Sequence, residues 1–212
     1  MGINPGKYNE LGFVYNYIPG SSGTTLLLLH GTGGNEDDLL TVGQMLDQKA
    51  SVIAPRGKVL EYGMSRYFRR VAPGVFDIED LKFRTNELAQ FIELVCTKHG
   101  VDTHTIVAVG YSNGANIAAS LILLKPHLLK RSMLFRAMLP VVPEKIPELK
   151  GTSVFVSGGK YDEMIPEKGT LELRDILLKS GANVKMNWEE SNHSLTSDEM
   201  GKAREWLLST IQ

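Results

Sequence analysis

The sequence predicts an α/β fold, a mostly parallel central sheet of about seven strands with helices on both faces. Two observations carry that expectation. Short apolar runs alternate along the chain with longer amphipathic stretches, whereas segregated blocks would argue for an α+β fold or for separate domains. Most of those runs are also apolar nearly throughout, as strands covered on both faces must be.

Phe13–Ile18 reads as an N-terminal strand at one edge, its Tyr-Asn-Tyr interior more polar than the rest. Thr24–His30 follows as a buried strand, Glu36–Leu46 as a helix and Ser51–Pro55 as the next strand. Residues Arg56–Gly74 show no clear period and are rich in Arg, Tyr, Phe and Gly, a connection long enough to suggest a function. In the helix expected over Ile78–Lys98, Leu81, Leu88, Phe91, Ile92, Val95 and Cys96 share one face and turn an apolar stripe toward the sheet; His99-Gly100 ends it. Strand Thr105–Tyr111 and helix Asn113–Leu124 come next, then strands Met133–Leu139 and Ser153–Ser157, helix Glu167–Ser180 and strand Asn183–Trp188. The last helix, Ser197–Thr210, opens with Thr196 and Glu199 in capping-box spacing, and Met200, Ala203, Trp206, Leu207 and Ile211 form its buried face. No repeat or low-complexity linker divides the chain, so residues 1–212 are expected to form a single domain.

Composition removes several function classes. Lys plus Arg (23) nearly cancels Asp plus Glu (24), so no net field would hold a nucleic acid or an anionic membrane. The longest aliphatic runs, Leu26–Leu29 and Leu121–Leu124, fall far short of the ~20 residues that cross a bilayer, and no integral membrane association is expected. Met1–Asn9 lacks the basic start and apolar stretch of a signal peptide. The one cysteine, Cys96, can form neither an internal disulfide nor a thiolate cage; it falls on an apolar helical stripe and reads as buried and inert. A cytoplasmic location is the expectation. Oligomeric state stays open, a homodimer included.

The chemistry concentrates where strands end. Strand Thr105–Tyr111 runs into Gly110-Tyr111-Ser112-Asn113-Gly114 and then into a helix of small residues, the pattern of a nucleophile elbow. A serine on so tight a turn needs glycine two residues before and two after, because side chains there would collide. Strand Thr24–His30 empties into His30-Gly31-Thr32-Gly33-Gly34-Asn35. The backbone N–H of Thr32 in this loop, joined by that of Asn113, is placed to receive an oxyanion. Neither nucleotide-binding glycine pattern fits, since Glu36 stands where the last Gly of a dinucleotide fingerprint belongs and no Gly-Lys-Ser/Thr loop occurs.

A serine nucleophile needs a base. Of the five histidines, His30 leads the glycine loop and reads as structural, His99 ends a helix, and His104 and His127 do not follow a later strand. His193, in Glu190-Ser191-Asn192-His193-Ser194-Leu195, lies at the carboxyl end of the last strand, where functional groups of open α/β sheets gather. The third member should be a carboxylate after another strand. Asp162 in Gly158-Gly159-Lys160-Tyr161-Asp162 is chosen over its neighbour Glu163, while Asp175 and Asp198 fall inside helices. The order Ser112, Asp162, His193 is that of the α/β-hydrolase fold. No metal-binding pattern occurs, and the chemistry calls for no metal or cofactor.

Leu-His-Gly-Thr-Gly-Gly-Asn, Gly-Tyr-Ser-Asn-Gly-Ala-Asn, Gly-Lys-Tyr-Asp-Glu-Met-Ile-Pro and Asn-His-Ser-Leu, spread over residues 29–195, resemble motifs of the phospholipase/carboxylesterase family. Ala54-Pro55-Arg56-Gly57 and Ser65-Arg66-Tyr67-Phe68-Arg69-Arg70 are similar to its bacterial branch. The resemblance implies a lid-poor serine hydrolase related to acyl-protein thioesterases, its triad falling on Ser112, Asp162 and His193. The chain departs from the thioesterases at Asn113, where they carry Gln, which argues against protein deacylation.

The expected substrate is thus a small or lipid-like carboxylic ester or a thioester. A non-catalytic binding protein on the same scaffold and a peptidase are the alternatives. Phe68, Phe76, Met164, Ile165 and Leu195 flank the site loops and fit an acyl pocket or ordinary core equally well. Arg66, Arg69 and Arg70 read as a solvated basic loop.

Overall fold

The computed structural model describes residues 6–210; Pro5 at the chain start and Ile211 of the last helix's expected face lie outside them. In chain order the elements are β1 (Gly6–Glu10), β2 (Phe13–Ile18), β3 (Thr25–Leu29), α1 (Leu40–Leu46), β4 (Ser51–Pro55), β5 (Val59–Glu61), β6 (Met64–Arg66), β7 (Arg70–Ala72) and β8 (Val75–Phe76). They continue with α2 (Ile78–His99), β9 (Ile106–Tyr111), α3 (Asn113–Leu124), β10 (Arg131–Phe135), β11 (Ser153–Gly159), α4 (Glu167–Lys179), β12 (Asn183–Glu189) and α5 (Ser197–Thr210).

The central sheet has eight strands in the order β1-β2-β4-β3-β9-β10-β11-β12. From β4 to β12 every pairing is parallel, and β1 and β2 add antiparallel at one side. The side-chain alternation of a strand explains the two cores. Leu27 and Leu29 of β3 face one way and pack with α2, α3 and α4; Leu26 and Leu28 face the other and pack with α1 and α5. Helices therefore cover both faces, which is the α/β-hydrolase fold expected from the sequence.

Four differences from expectation have physical causes. The sheet has eight strands because Gly6–Glu10 pairs with Phe13–Ile18 through a two-residue turn with Leu11 and Gly12 at positive φ, so Phe13–Ile18 is the second strand rather than the edge. Helix α1 starts at Leu40 instead of Glu36, because residues 36–39 form turns in which the buried Glu36 carboxylate reaches Arg56 and Lys7. Strand β10 ends at Phe135, four residues short of expectation, because Arg136 turns into the left-handed region at φ 57°. The Arg56–Gly74 connection is two small antiparallel hairpins, β5-β6 and β7-β8, whose strands are too short to display a period.

Helix ends follow local chemistry. Asp77 caps α2 by accepting from the Asp80 N–H, and Gly100 ends it at φ 65°. At α5 the Thr196 hydroxyl accepts from the Glu199 N–H at 3.1 Å while a Glu199 carboxylate oxygen accepts from the Thr196 N–H at 3.3 Å, the reciprocal box read from the sequence. No helix among the described residues is long and apolar enough to cross a membrane.

Candidate active site

The chain crosses from β3 to β4 on one side and returns to β9 on the other, so sheet order reverses at β3. Crevices outside the carboxyl ends of strands at such a reversal are where open α/β sheets bind ligands. The glycine loop leaves β3 there, and the Ser112 turn leaves β9 beside it.

Ser112 sits between β9 and α3 at φ 53° and ψ −113°, a conformation a non-glycine residue adopts only when its surroundings enforce it. Here they do: the Ser112 N–H donates to the Phe135 carbonyl at 2.9 Å, and the Ser112 carbonyl accepts from Asn116 N–H at 3.0 Å. The flanking glycines are required sterically. A Cβ at Gly114 would run into the Leu29 carbonyl, and one at Gly110 would lie 2.5 Å from the Gly114 carbonyl oxygen.

Asp162 and His193 meet Ser112 from the ends of β11 and β12. The Ser112 hydroxyl lies 2.9 Å from His193 Nε2, and His193 Nδ1 lies 2.7 Å from Asp162 Oδ2. Because a carboxylate only accepts, Nδ1 carries the proton in the neutral ring and Nε2 presents its lone pair to the serine. The other Asp162 oxygen accepts from the N–H groups of Met164 (2.9 Å) and Ile165 (3.0 Å), which fixes the carboxylate plane. Glu163, the rival carboxylate, points to solvent, as do Asp175 and Asp198.

The glycine loop is fastened from outside by the β5-β6 hairpin. Gly33 N–H donates to Ser65 O at 2.9 Å, and Arg66 Nη1 donates to the Thr32 hydroxyl at 2.7 Å. Asn113 Oδ1 accepts from Tyr67 N–H at 2.7 Å, linking the serine turn to the same hairpin. Arg66 is therefore buried, paired with Glu61 at 3.4 Å, and not part of a solvated basic loop; only Arg69 of the three arginines is well exposed. Among the described residues the backbone N–H groups of Thr32 and Asn113 donate to no protein acceptor. Both belong to the loops that meet at Ser112, and Asn113 opens α3, whose N-terminal end carries positive potential.

His30 is structural: its buried Nδ1–H donates to Gly31 O at 2.6 Å and its Nε2 accepts from Gly57 N–H at 2.9 Å. Burial pushes its pKa down, which keeps the ring neutral. His99 stacks on Tyr17 with ring centroids 3.8 Å apart and bonds the Tyr15 hydroxyl at 3.0 Å, while His104 and His127 are exposed.

A groove of about 470 Å³ runs beside these groups, lined by Gly31, Thr32, Leu39, Val42, Tyr111 and Leu195 among others. Of the five residues that flank the site in sequence, Leu195 lines it. Phe68 is fully buried against Phe76, Ile165 is buried, and Met164 is exposed.

Sequence reasoning passed over Arg136, which reaches this site, and Glu199, which holds it. Arg136 donates to the carbonyls of Asn192 (3.1 Å) and Ser194 (2.6 Å) and forms a buried ion pair with Glu199. The signal was available: a lone arginine in an otherwise apolar run must find a partner if that run is buried.

A family model described as Phospholipase/Carboxylesterase matches residues 20–211. The chain belongs to the phospholipase/carboxylesterase family. It is thereby an esterase-type hydrolase. The Bacillus subtilis (strain 168) protein MhqD, which carries the name of a hydrolase, is 44% identical over 195 residues, 92% of this chain and 98% of that protein. A Bacillus cereus carboxylesterase superposes with a TM-score of 0.91 at 44% identity, covering 93% of this chain and 94% of the other. A Mesorhizobium loti carboxylesterase of this fold gives 0.92 at 28% identity, over 97% and 99%.

Proposed function

We propose that the protein is a serine esterase that cleaves carboxylic ester or thioester bonds of small or lipid-like substrates through an acyl-enzyme on Ser112. The observation that carries the reading is the unbroken hydrogen-bond chain from the Ser112 hydroxyl through both His193 nitrogens to Asp162.

In this mechanism His193 Nε2 takes the hydroxyl proton as Ser112 Oγ attacks the substrate carbonyl carbon. Asp162 holds Nδ1–H, fixing the tautomer and stabilising the imidazolium that forms. The developing oxyanion lies toward the N–H groups of Thr32 and Asn113; a donor of this kind is typically worth ~3 kcal/mol in the transition state. The C–O or C–S bond then breaks as the imidazolium returns the proton to the departing alcohol or thiol. Water enters, gives its proton to Nε2 and attacks the acyl carbon; Ser112 Oγ leaves with that proton and the acid is released.

The open groove with Leu39, Val42 and Leu195 on its wall suits a short or medium acyl chain. The buried thiol of Cys96 suits a reducing, cytoplasmic setting. Turnover of p-nitrophenyl esters of increasing chain length by the parent and by Ser112→Ala tests the proposal. The parent should hydrolyse the shorter esters, and Ser112→Ala should lose at least ~10³-fold in kcat. A folded Ser112→Ala variant with parental turnover would refute it.

A further inference from the structure

The loop that carries His193 has no apolar side chain between Trp188 and Leu195, so burial cannot set its position. Hydrogen bonds do. Arg136 Nε donates to Asn192 O at 3.1 Å, the Tyr111 hydroxyl donates to His193 O at 3.0 Å, and Arg136 Nη2 donates to Ser194 O at 2.6 Å. Three consecutive carbonyls centred on His193 are thus held from beneath, and Arg136 Nη2 also reaches the Ser191 hydroxyl at 3.1 Å.

The holder is fixed in turn. Arg136 follows the last residue of β10, with its N–H on Ser157 O at 2.8 Å, while the preceding carbonyl of Phe135 takes the Ser112 N–H. Strand β10 lies between β9 and β11, which carry Ser112 and lead to Asp162. Glu199 holds the other edge of the guanidinium and also accepts from the Ser157 hydroxyl. The Arg136 side chain thus holds the histidine loop, while the backbone at the end of β10 bonds the Ser112 turn and β11, which leads to Asp162.

Stability alone is a poor explanation of this arrangement. Arg136 and Glu199 are fully buried, and a buried ion pair commonly repays no more than its own desolvation. The positive φ of Arg136 costs a further ~1 kcal/mol. Accepting Ser112 and His193 as nucleophile and base, we propose that Arg136, seated on Glu199 and aided by Tyr111, is a positioning residue that holds the His193 imidazole in line with Asp162 and Ser112 at once. Arginine is needed because its planar fork serves a carboxylate and two carbonyls together, which a lysine ammonium cannot do.

The test uses Arg136→Lys, which keeps a positive charge opposite Glu199, and Tyr111→Phe, which removes only the middle bond. For each, kcat and KM with a short aryl ester are measured together with Tm and the low-field Nδ1–H proton resonance of His193. Arg136→Lys should lose roughly 10- to 100-fold in kcat with KM within about twofold, as displacement of a catalytic group by a fraction of an ångström entails. Its low-field resonance should broaden or vanish, and Tyr111→Phe should show the same change to a smaller degree. Parental kcat and resonance with only a lowered Tm would overturn the inference. If Arg136→Lys does not fold, Tyr111→Phe decides by the same readouts. Ser112→Ala and His193→Ala are measured in parallel. Turnover in either would defeat the reading of the site itself, whereas their inactivity beside a fully active Arg136→Lys would defeat this inference alone.

Discussion

The Ser112 hydroxyl and His193 Nε2 stand 2.9 Å apart although 81 residues separate them in the chain. Parallel strands produce this meeting. With β9, β10, β11 and β12 side by side and pointing the same way, the segments that follow β9, β11 and β12 all emerge at one edge of the sheet. A serine, a carboxylate and a histidine placed one after each of those strands converge without any long loop.

The elbow should be intolerant of even one added methyl group. Gly114→Ala pushes a Cβ into the backbone of Leu29 on the neighbouring strand, which cannot move aside as a flexible side chain could. The expected loss is at least ~3 kcal/mol by urea unfolding, with esterase activity lost in whatever folds. Gly201→Ala, where a Cβ meets nothing within 4 Å, is the control and should be neutral or slightly stabilising.

The Arg136–Glu199 pair should behave non-additively. Arg136→Met leaves the Glu199 carboxylate buried without its partner, at a cost of about 3–5 kcal/mol. Arg136→Met combined with Glu199→Met removes both charges and should be more stable than Arg136→Met alone. Chemical denaturation of the two single variants and the double variant measures the coupling.

Acid should weaken the protein through Glu36. Burial alone would raise this carboxyl, but bonds from Arg56, its own backbone and Lys7 outweigh it and lower the pKa from 4.5 to about 2. Above pH 4.5 the carboxylate is ionised folded or unfolded and its contribution is complete. As pH falls toward 2 the unfolded chain binds the proton first, so stability is lost across that window. The half-exposed partners screen the interaction, and the loss attributable to this group is roughly 2 kcal/mol. Glu36→Gln should flatten the pH dependence of unfolding between pH 4.5 and 2; an unchanged slope would contradict the assignment.

Cys96 should resist alkylation. Burial pushes its thiol up to about 11, so at pH 8 little thiolate exists and none is accessible. Iodoacetamide should leave the native protein unmodified by mass spectrometry and add one carbamidomethyl group after unfolding.

What could be read from the sequence and what could not divide along physical lines. Ser112, Asp162 and His193 each sit in a short motif just past an apolar strand, so strand order alone brought them to one edge. Thr32 and Asn113 lie in the same motifs, and among the described residues their N–H groups donate to no protein acceptor. Arg136 and Glu199 escaped because each satisfied a local reading, one as a residue inside a strand and the other as a helix cap, and only the fold joins positions 63 residues apart. Arg66 was misjudged for a related reason: its burial depends on the β5-β6 hairpin folding over the glycine loop, and three-residue strands show no period. Strand β1 was missed because an edge strand with half of its face in water, Gly-Lys-Tyr-Asn-Glu, lacks the apolar signature of a covered one.

Ser112 is proposed to be the nucleophile, activated by His193. Incubation of the purified protein with a fluorophosphonate, followed by peptide mass spectrometry, tests it most directly. The expected result is a single phosphonylated residue, Ser112, with labelling abolished in Ser112→Ala and slowed at least ~100-fold in His193→Ala. An unlabelled parent protein, or an adduct on another residue that persists in Ser112→Ala, would exclude Ser112 as the nucleophile.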